Sequence, residues 1–597
     1  MYIRRVITRR TGGEAYYSVR LVESRREGGR IRQVTLLNLG SHFELPENQW
    51  TALCLRLNQL LGQQGVLIPS ELPEAVETTA QALAARLVAR TPTEVTQAEF
   101  VEVDVASLEL LQPRSVGVEH VGLYALAQLE FEPLLQTLGI NATTRAMIMA
   151  QVIGRMAAPG SERATWGWFN ERSALDELLD LSRPDGSIMR LYRAADVLVK
   201  HQAAIESHLF ARVQDLFDLP ATVSLYDLTN TYFEGAAEAN PKARRGHSKE
   251  KRTDCPLLTL GLVLDSSGFV RRSRVLAGNA VESRTLAGML EDLDAPVGAL
   301  VVMDGGIATE ANLVWLREQG YRYLVVSRER TRVAPQGDAT VTTAGGEAIR
   351  VEKVVDAAAG EVRLYCHSPG RELKEVGISG RFSARFESGL QKLADGLASP
   401  RGAKRPEVIH ERIGKLKQRS FGAAQHYAVT VQTDPGQTKV TRISWEKKPV
   451  AGTMLTDPGV YCLRSNETDW DEERLWRTYM MLTDLESVFR SLKSELGLRP
   501  VYHFKEGRGD SHLFISVLAY QCVQLLRRQL KGKGIDLGWR NLRDILSVQQ
   551  RVTARFTQKD GRTLLVRKAT QPEPKLKAIY DALGLGYLPG GTKKRVN

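Results

Sequence analysis

The sequence predicts a multidomain α/β protein. Its centre is a mixed sheet with helices packed on it, preceded by a small basic β region and a helical domain and interrupted by a mostly β insertion. Three observations carry this. A chain of 597 residues is longer than one hydrophobic core usually supports. Between residues 221 and 330 strand-like and helix-like runs follow in the order β-β-β-α-β-α-β, and a hairpin followed by βαβ steps closes as a mixed sheet. After residue 331 the pattern changes to short strand-like runs split by the turn sequences PQGDAT, TAGGE and TDPG.

Composition narrows the class. With 43% hydrophobic and 25% charged residues the chain is an ordinary folded protein. Its net charge of +12 and pI of about 9.4 suit a polyanionic partner such as nucleic acid. Cys54, Cys255, Cys366, Cys462 and Cys522 are scattered, which excludes a zinc knuckle or redox pair and predicts reduced, buried thiols. The histidines show no metal-ligand spacing, and His503 and His512 are too far apart to share one helix face. The N-terminus MYIRRVITRRTGG has no apolar core, as a signal peptide would need. The stretch LFISVLAYQCVQLL (513–526) is too short to span a bilayer. These features predict a soluble, cytoplasmic protein with no membrane partner.

The elements follow in order. Residues 1–45 read as a basic β-hairpin region: AYYSVRLVES and RIRQVTLLNLG alternate around the turn RREGG, and arginines crowd the first 33 positions. Such a hairpin suits either a phosphate backbone or a solvated face. Residues 46–115 read as helix and linker, and 116–217 as a helical domain whose basic faces suit DNA docking. Residues 218–330 form the first part of the core. There ATVSLYD is a strand, PLLTLGLVLD and FVRRSRVLAG a hairpin, VGALVVMDGG a buried strand, ATEANLVWLREQG a helix and YRYLVVSRER another strand. Residues 331–465 are the mostly β insertion, 466–555 return to helix, and 556–597 form an extension ending in a mobile basic tail.

Two carboxylates stand at predicted strand tips: Asp227 ends the first core strand and Asp304 ends the fourth. Open α/β sheets bind ligands beyond such tips, and two hard oxygen donors there can hold Mg²⁺. A pair of such ions activates the attacking oxygen and steadies the leaving one in phosphodiester chemistry, and a third acid is needed to hold the second ion. The candidate is Glu486. Tyr479 lies seven residues before it and Lys493 seven after, so all three share one helix face, which Arg490 joins at i+4. Ordinary surface charge pairing gives the same spacing. The loop KARRGHSKEKR (242–252) places Arg244, Arg245, Lys249, Lys251 and Arg252 near the first acid as candidate phosphate contacts.

LYDLTNTYFEG, VVMDGG and YMMLTDLESVFRSLK together resemble the catalytic segments of bacterial insertion-sequence DDE transposases of the IS-four-type clan, whose core is RNase H-like. That clan carries a Tyr-x2-Arg-x3-Glu-x6-Lys signature. Tyr479, Glu486 and Lys493 match it, while Leu482 stands at the Arg position. The opening segment, PGSERATWGW, GHSKEKR and LRPVYH are similar to the IS-sixteen-thirty-four-like subgroup. The spacing fits as well: 77 residues separate Asp227 from Asp304 and 182 separate Asp304 from Glu486, the longer gap matching the clan's β-rich insertion.

The resemblance implies an RNase H-like fold and an enzyme that binds terminal inverted repeats, cleaves at the element ends and joins 3′-hydroxyls to target DNA. It implies Asp227, Asp304 and Glu486 as ligands of two Mg²⁺ ions, with Mn²⁺ able to substitute. Tyr479 and Lys493 would contact transferred-strand phosphates, and Arg490 would stand in for the missing signature Arg. Its partners would be double-stranded DNA and, in the paired-end complex, a second copy of the chain. An aromatic of the insertion, with Trp445 as candidate, would stack a flipped base. In AGNAVES (277–283), Asn279 and Glu282 could face the site, although a capped helix start explains them as well. Trp166 and Trp168 read better as helix-packing residues than as DNA contacts.

Other functions compete. A haloacid-dehalogenase-type phosphohydrolase wants a second Asp two residues after Asp227, where this chain has Thr229, and it leaves Glu486 and Lys493 without a task. A catalytically inactive DNA-binding relative need not keep all three acids. A non-transposing nuclease on the same core differs only in lacking strand joining.

Overall fold

The computed structural model describes all residues except 12–13, 28–29, 41–42, 61–71, 91–99, 182–186, 218–222, 247–251, 291–297, 344, 400–401 and 597. Strands β1 (Tyr2–Thr11), β2 (Glu14–Glu27) and β3 (Arg30–Gly40) form an antiparallel sheet. Leu21 and Leu37 of that sheet pack on Leu53 and Leu57 of the helix Trp50–Leu60, and on Val76 and Leu83 of the helix Glu74–Arg90. This small unit therefore has its own apolar core. The linker around TPTEVTQAEF lies almost wholly outside the described residues.

Val103–Ser115 is a strand, β4, not the linker expected of residues 46–115. Its partner is remote in sequence: β16 (Gln550–Gln558) supplies its hydrogen bonds, so no local pattern announces it. The helical domain that follows runs from Gly117 to Phe217 as several short helices, the last two being Met189–Lys200 and Gln202–Phe217.

The core is a nine-stranded mixed sheet. Its first five strands in chain order are β5 (Val223–Tyr232), β6 (Leu257–Asp265), β7 (Val270–Ala277), β8 (Leu300–Met303) and β9 (Arg322–Val326). They lie side by side as β7-β6-β5-β8-β9, with β6 antiparallel to its neighbours and β5, β8 and β9 mutually parallel. This is the RNase H-like arrangement. Side chains alternate between the faces as strand geometry requires. Leu225, Val302 and Leu324 point into one core, and Tyr226, Val301, Met303, Tyr323 and Val325 into the other. Both faces are covered, which is why every residue of β6 is buried and its sequence reads as a continuous apolar run.

The second face is closed by Leu286, Met289 and Leu290 of a short helix (Leu286–Leu290) and by Leu313 and Leu316 of the helix Glu310–Glu318. The first face is covered by the helices Glu472–Ser494 and Glu506–Lys531. Glu506–Lys531 also packs against helices of the N-terminal helical domain, so it is buried nearly all round and apolar on every side. Gln521 fastens it to the sheet, accepting from the Val270 amide at 3.0 Å and donating to the Val270 carbonyl at 2.7 Å.

The segment expected to be a mostly β insertion is mixed. β10 (Thr340–Thr342), β11 (Ala348–Asp356) and β12 (Glu361–His367) come first. Then come helices Pro369–Ala398 and Pro406–Arg419, the ribbon β13 (Tyr427–Thr433) and β14 (Val440–Lys447), and β15 (Val460–Ser465). β15 pairs with β9, so β15, β12, β11 and β10 continue the core sheet rather than forming a separate one. Trp445 packs against the cluster formed by the two helices and the ribbon, which is the insertion's own core. The C-terminal region is also more ordered than a mobile tail. β16, β17 (Thr563–Ala569) and β18 (Lys593–Val596) join β4 in a four-stranded sheet, and a helix (Pro574–Leu583) between β17 and β18 packs on the helix Glu506–Lys531. No helix among the described residues is long and apolar enough to cross a membrane.

The insertion is pinned to the core at Glu361. This buried carboxylate of β12 accepts from Arg464 of β15 at 3.0 Å and from the Tyr323 hydroxyl of β9, spanning three strands. Removing it takes a buried carboxylate from Arg464, which keeps only the exposed Glu310, and leaves the buried Tyr323 hydroxyl without its acceptor, so Glu361→Ala is expected to cost about 3 kcal/mol of stability. Denaturant unfolding followed by tryptophan fluorescence checks this, and an unchanged midpoint would refute the docking role.

Candidate active site

The site begins with a strand register. β5 and β8 run parallel with Tyr226 opposite Met303, so the next residues, Asp227 and Asp304, leave the ladder side by side on strands about 4.8 Å apart. Asp227 does not end its strand as expected, because β5 continues to Tyr232 along β6. It does mark the end of the pairing with β8, which stops at Met303. Alternation puts Asp227 on the face of Leu225 and Asp304 on the face of Val302, and this is the face covered by the helix Glu472–Ser494.

That helix is started by Asp471, whose side chain accepts from the Arg474 amide at 2.7 Å. It packs its Leu475, Trp476, Val488, Phe489 and Leu492 into the core against β5, β8 and β9. Tyr479, Glu486 and Lys493 follow at two-turn intervals. Glu486 and Arg490 are exposed, while Tyr479 and Lys493 are half-buried. Tyr479 links the helix to the strand tip. Burial first, and then the Asp304 carboxylate with Glu486 among further charges, pushes its hydroxyl up to about 12. Its hydroxyl therefore stays protonated at neutral pH. The side chain of Asp484, another acid of this helix, lies outside the described residues.

The two aspartates use one oxygen locally. Asp227 Oδ1 accepts from the Leu228 amide at 2.7 Å, and Asp304 Oδ1 from the Gly305 amide at 2.6 Å. Asp304 is exposed, and among the described residues no cationic side chain is paired with it. Asp227, Asp304 and Glu486 all carry carboxylate oxygens, the donor type that suits a hard divalent cation, although among the described residues their ligand atoms are not gathered within 4.8 Å of one another.

The basic loop lies beyond the carboxyl end of β5. Glu234, Arg244, Arg245, Arg252 and Asp254 line an open groove of about 700 Å³. Arg245 donates to the Thr253 carbonyl at 3.1 Å. Arg252 forms two 2.7 Å hydrogen bonds to Asp254 and stacks over Tyr232, 4.4 Å from its ring centre. Arg244 is exposed and fixed through its backbone to Leu257. The close approach needs glycine: a Cβ on Gly278 would meet the Arg244 carbonyl at 2.4 Å. Lys249 and Lys251 lie outside the described residues. Trp168 is buried and Trp166 half-buried against the helical core, so both are packing residues.

A second cluster escaped the sequence. Glu162, His503 and His512 bring ligand-type atoms within 4.8 Å of one another, although the spacing of the two histidines argued against any shared site. They meet because His503 precedes the helix carrying His512, and Glu162 arrives from the helical domain. Buried Arg155 donates to Glu162 Oε1 at 3.0 Å and to His512 Nδ1 at 2.7 Å. It also reaches the Gly497 carbonyl at 3.0 Å. Its guanidinium is permanently charged and already supplies the positive charge a metal would bring. The cluster is a buried salt-bridge network that ties the helical domain to the chain just after the Glu472–Ser494 helix.

Comparison with known proteins identifies a family. A family model described as the transposase DDE domain matches residues 219–522, and one described as the N-terminal domain of IS1634 family transposases matches residues 3–64. No curated protein matches. Among solved structures, a cryo-EM structure of the piggyBac transposase synaptic complex with hairpin DNA is similar at 9% identity and a TM-score of 0.30, covering 68% of this chain and 71% of that one. That likeness is too remote to argue from.

The buried network makes stability depend on pH. Burial, then Arg155, pushes the His512 imidazole down to about 4. Burial alone would raise Glu162, but His512, His503 and Arg155 outweigh it and hold it well below the ordinary carboxylate range. Unfolded histidine titrates near 6.5, so between about pH 6.5 and 4 the unfolded chain binds the extra proton. The His512 contribution, about 3 kcal/mol, is complete above pH 6.5 and lost as pH falls toward 4. His512→Asn should be less stable at pH 7 and should approach wild type near pH 4. Thermal unfolding across this range reads the difference, and parallel profiles would refute it.

Proposed function

Because the chain belongs to the DDE transposase family, with an N-terminal domain of the IS1634 type, we propose that it is the transposase of an insertion sequence. It binds the terminal inverted repeats of its element, cleaves at the ends and joins the 3′-hydroxyls to target DNA. The observation that supports this reading is the parallel register that brings Tyr226 opposite Met303, the residues just before Asp227 and Asp304, with the Glu486 helix covering the sheet face of Leu225 and Val302. Tyr479 lies within the electrostatic reach of both Asp304 and Glu486.

Asp227, Asp304 and Glu486 would hold two Mg²⁺ ions, or Mn²⁺, and their carboxylate oxygens fit such ions. The ions supply activation of the attacking oxygen and neutralise charge on the leaving one. The rest falls to the chain. Tyr479 keeps its proton and donates to a phosphate oxygen of the transferred strand without charge repulsion. Lys493 offsets the negative charge that builds on the scissile phosphate. Arg490, exposed one turn beyond Glu486, takes the phosphate contact left open by Leu482. Arg244, Arg245, Lys249, Lys251 and Arg252 track the backbone of flanking DNA, with Arg252 exchanging Asp254 for a phosphate. Two ends must be held together for joining, which calls for a homodimer.

The test uses duplex DNA carrying the element's own terminal repeats, with Mg²⁺. Wild type should nick at the repeat terminus. Glu486→Gln should bind equally well and cut at least ~100-fold more slowly, in the range of losses seen when one group stabilising a transition state is removed. Lys493→Ala should retain the site and lose roughly 10-fold in rate. Equal cutting by wild type and Glu486→Gln would sink the assignment of the third acid.

A further inference from the structure

A fourth carboxylate reaches the same edge. The turn Glu282–Arg284 follows β7 and crosses toward the tip of β8. A Cβ built on Gly306 would meet Glu282 Oε2 at 2.9 Å, so this carboxylate lies directly over the turn that carries Asp304.

The placement is built by hydrogen bonds on both sides of Glu282. Asn312 Nδ2 donates to the Ser283 carbonyl at 2.8 Å and to the Ile307 carbonyl at 2.7 Å, joining the Glu282 turn to the Asp304 turn through one amide. Thr285 Oγ1 donates to the Glu282 carbonyl at 2.7 Å and lies 2.6 Å from the hydroxyl of buried Tyr226, the residue before Asp227. Three segments remote in sequence are thus locked at one point: the end of the β5–β8 ladder, the Asp304 turn and the Glu282 turn. Glu282 is half-buried.

We propose that Glu282 is a fourth carboxylate of the metal centre, positioned by Asn312, and that it binds the divalent cation held by Asp304, directly or through a water of its shell. This rests on the assignment of Asp227, Asp304 and Glu486 as the metal-holding set. Glu282 adds a further anionic oxygen where Mg²⁺ keeps several waters. Asn312 is a positioning residue: it touches neither cation nor DNA, and acts by fixing the distance between two turns.

The experiment measures Mn²⁺ binding to the full-length protein without DNA, by calorimetric titration and by the loss of the free-ion paramagnetic resonance signal. Cleavage of repeat-bearing DNA as a function of Mg²⁺ concentration runs in parallel. Glu282→Gln preserves shape and removes charge, and should weaken Mn²⁺ binding roughly 10-fold or more, as loss of outer-shell metal partners does. The Mg²⁺ concentration for half-maximal cleavage should rise by a similar factor. Asn312→Ala should shift both in the same direction by less, and Glu282→Asp, with the charge withdrawn by one methylene, should fall between. Thermal midpoints of the variants distinguish this from unfolding. If Glu282→Gln binds Mn²⁺ as wild type does while Asp304→Asn has lost it, Glu282 is outside the centre and the proposal fails alone. If Asp304→Asn binds and cuts like wild type, the three-acid assignment fails and takes this proposal with it.

Discussion

The structure depends on one register. Tyr226 opposite Met303 in a parallel pair fixes which residues of two strands, 77 positions apart, come side by side. A slip by one residue would turn Asp227 or Asp304 to the opposite face, into the cluster of Leu286, Met289 and Leu313. The register is held by side chains whose identities leave little freedom. Tyr226, Val301, Met303, Tyr323 and Val325 fill one core, and Leu225, Val302 and Leu324 the other. Both faces are apolar and closed by helices, so a polar side chain on these strands is accommodated at a strand end. The acids stand there.

The same constraint explains how the helix with Glu486 is placed. It meets the sheet through Leu475, Val488, Phe489 and Leu492, and its far end is tied by Arg155 to the helical domain through Gly497. The site is therefore positioned from two directions: by the strand ladder below and by a buried charge network behind. The insertion contributes a third anchor, since its last strand, β15, pairs with β9 shortly before the helix begins.

Much of this was legible in the sequence. The alternation in LYDLTNTYFEG and VVMDGG, and the seven-residue spacing of Tyr479, Glu486 and Lys493, are local signals, and local signals survive in a single chain. The strand order of the core was also within reach, because hairpin and βαβ rules constrain it. What escaped depends on partners remote in sequence. β4 exists because β16 pairs with it from more than four hundred residues away. The long helices of the insertion hid among turn-rich neighbours, and the C-terminal strands were masked by a basic composition that reads as a tail. The meeting of His503, His512 and Glu162 required a bend between two helices that spacing rules for a single helix do not cover. For Glu282 the sequence left a place at the site and a helix cap both open, and its position over Gly306 is what separates the two.

The splice of the insertion between β9 and β15 has a consequence for synthesis. Asp304 leaves the ribosome 182 residues before Glu486. At a translation rate of roughly 5–20 residues per second, that is a delay of about ten to forty seconds. During it the nascent chain carries β5 to β8 with Asp227 and Asp304, while β9 to β12 and β15 of the same sheet are still being made. The helix carrying Glu486 follows β15, so it meets a sheet that the insertion has already extended.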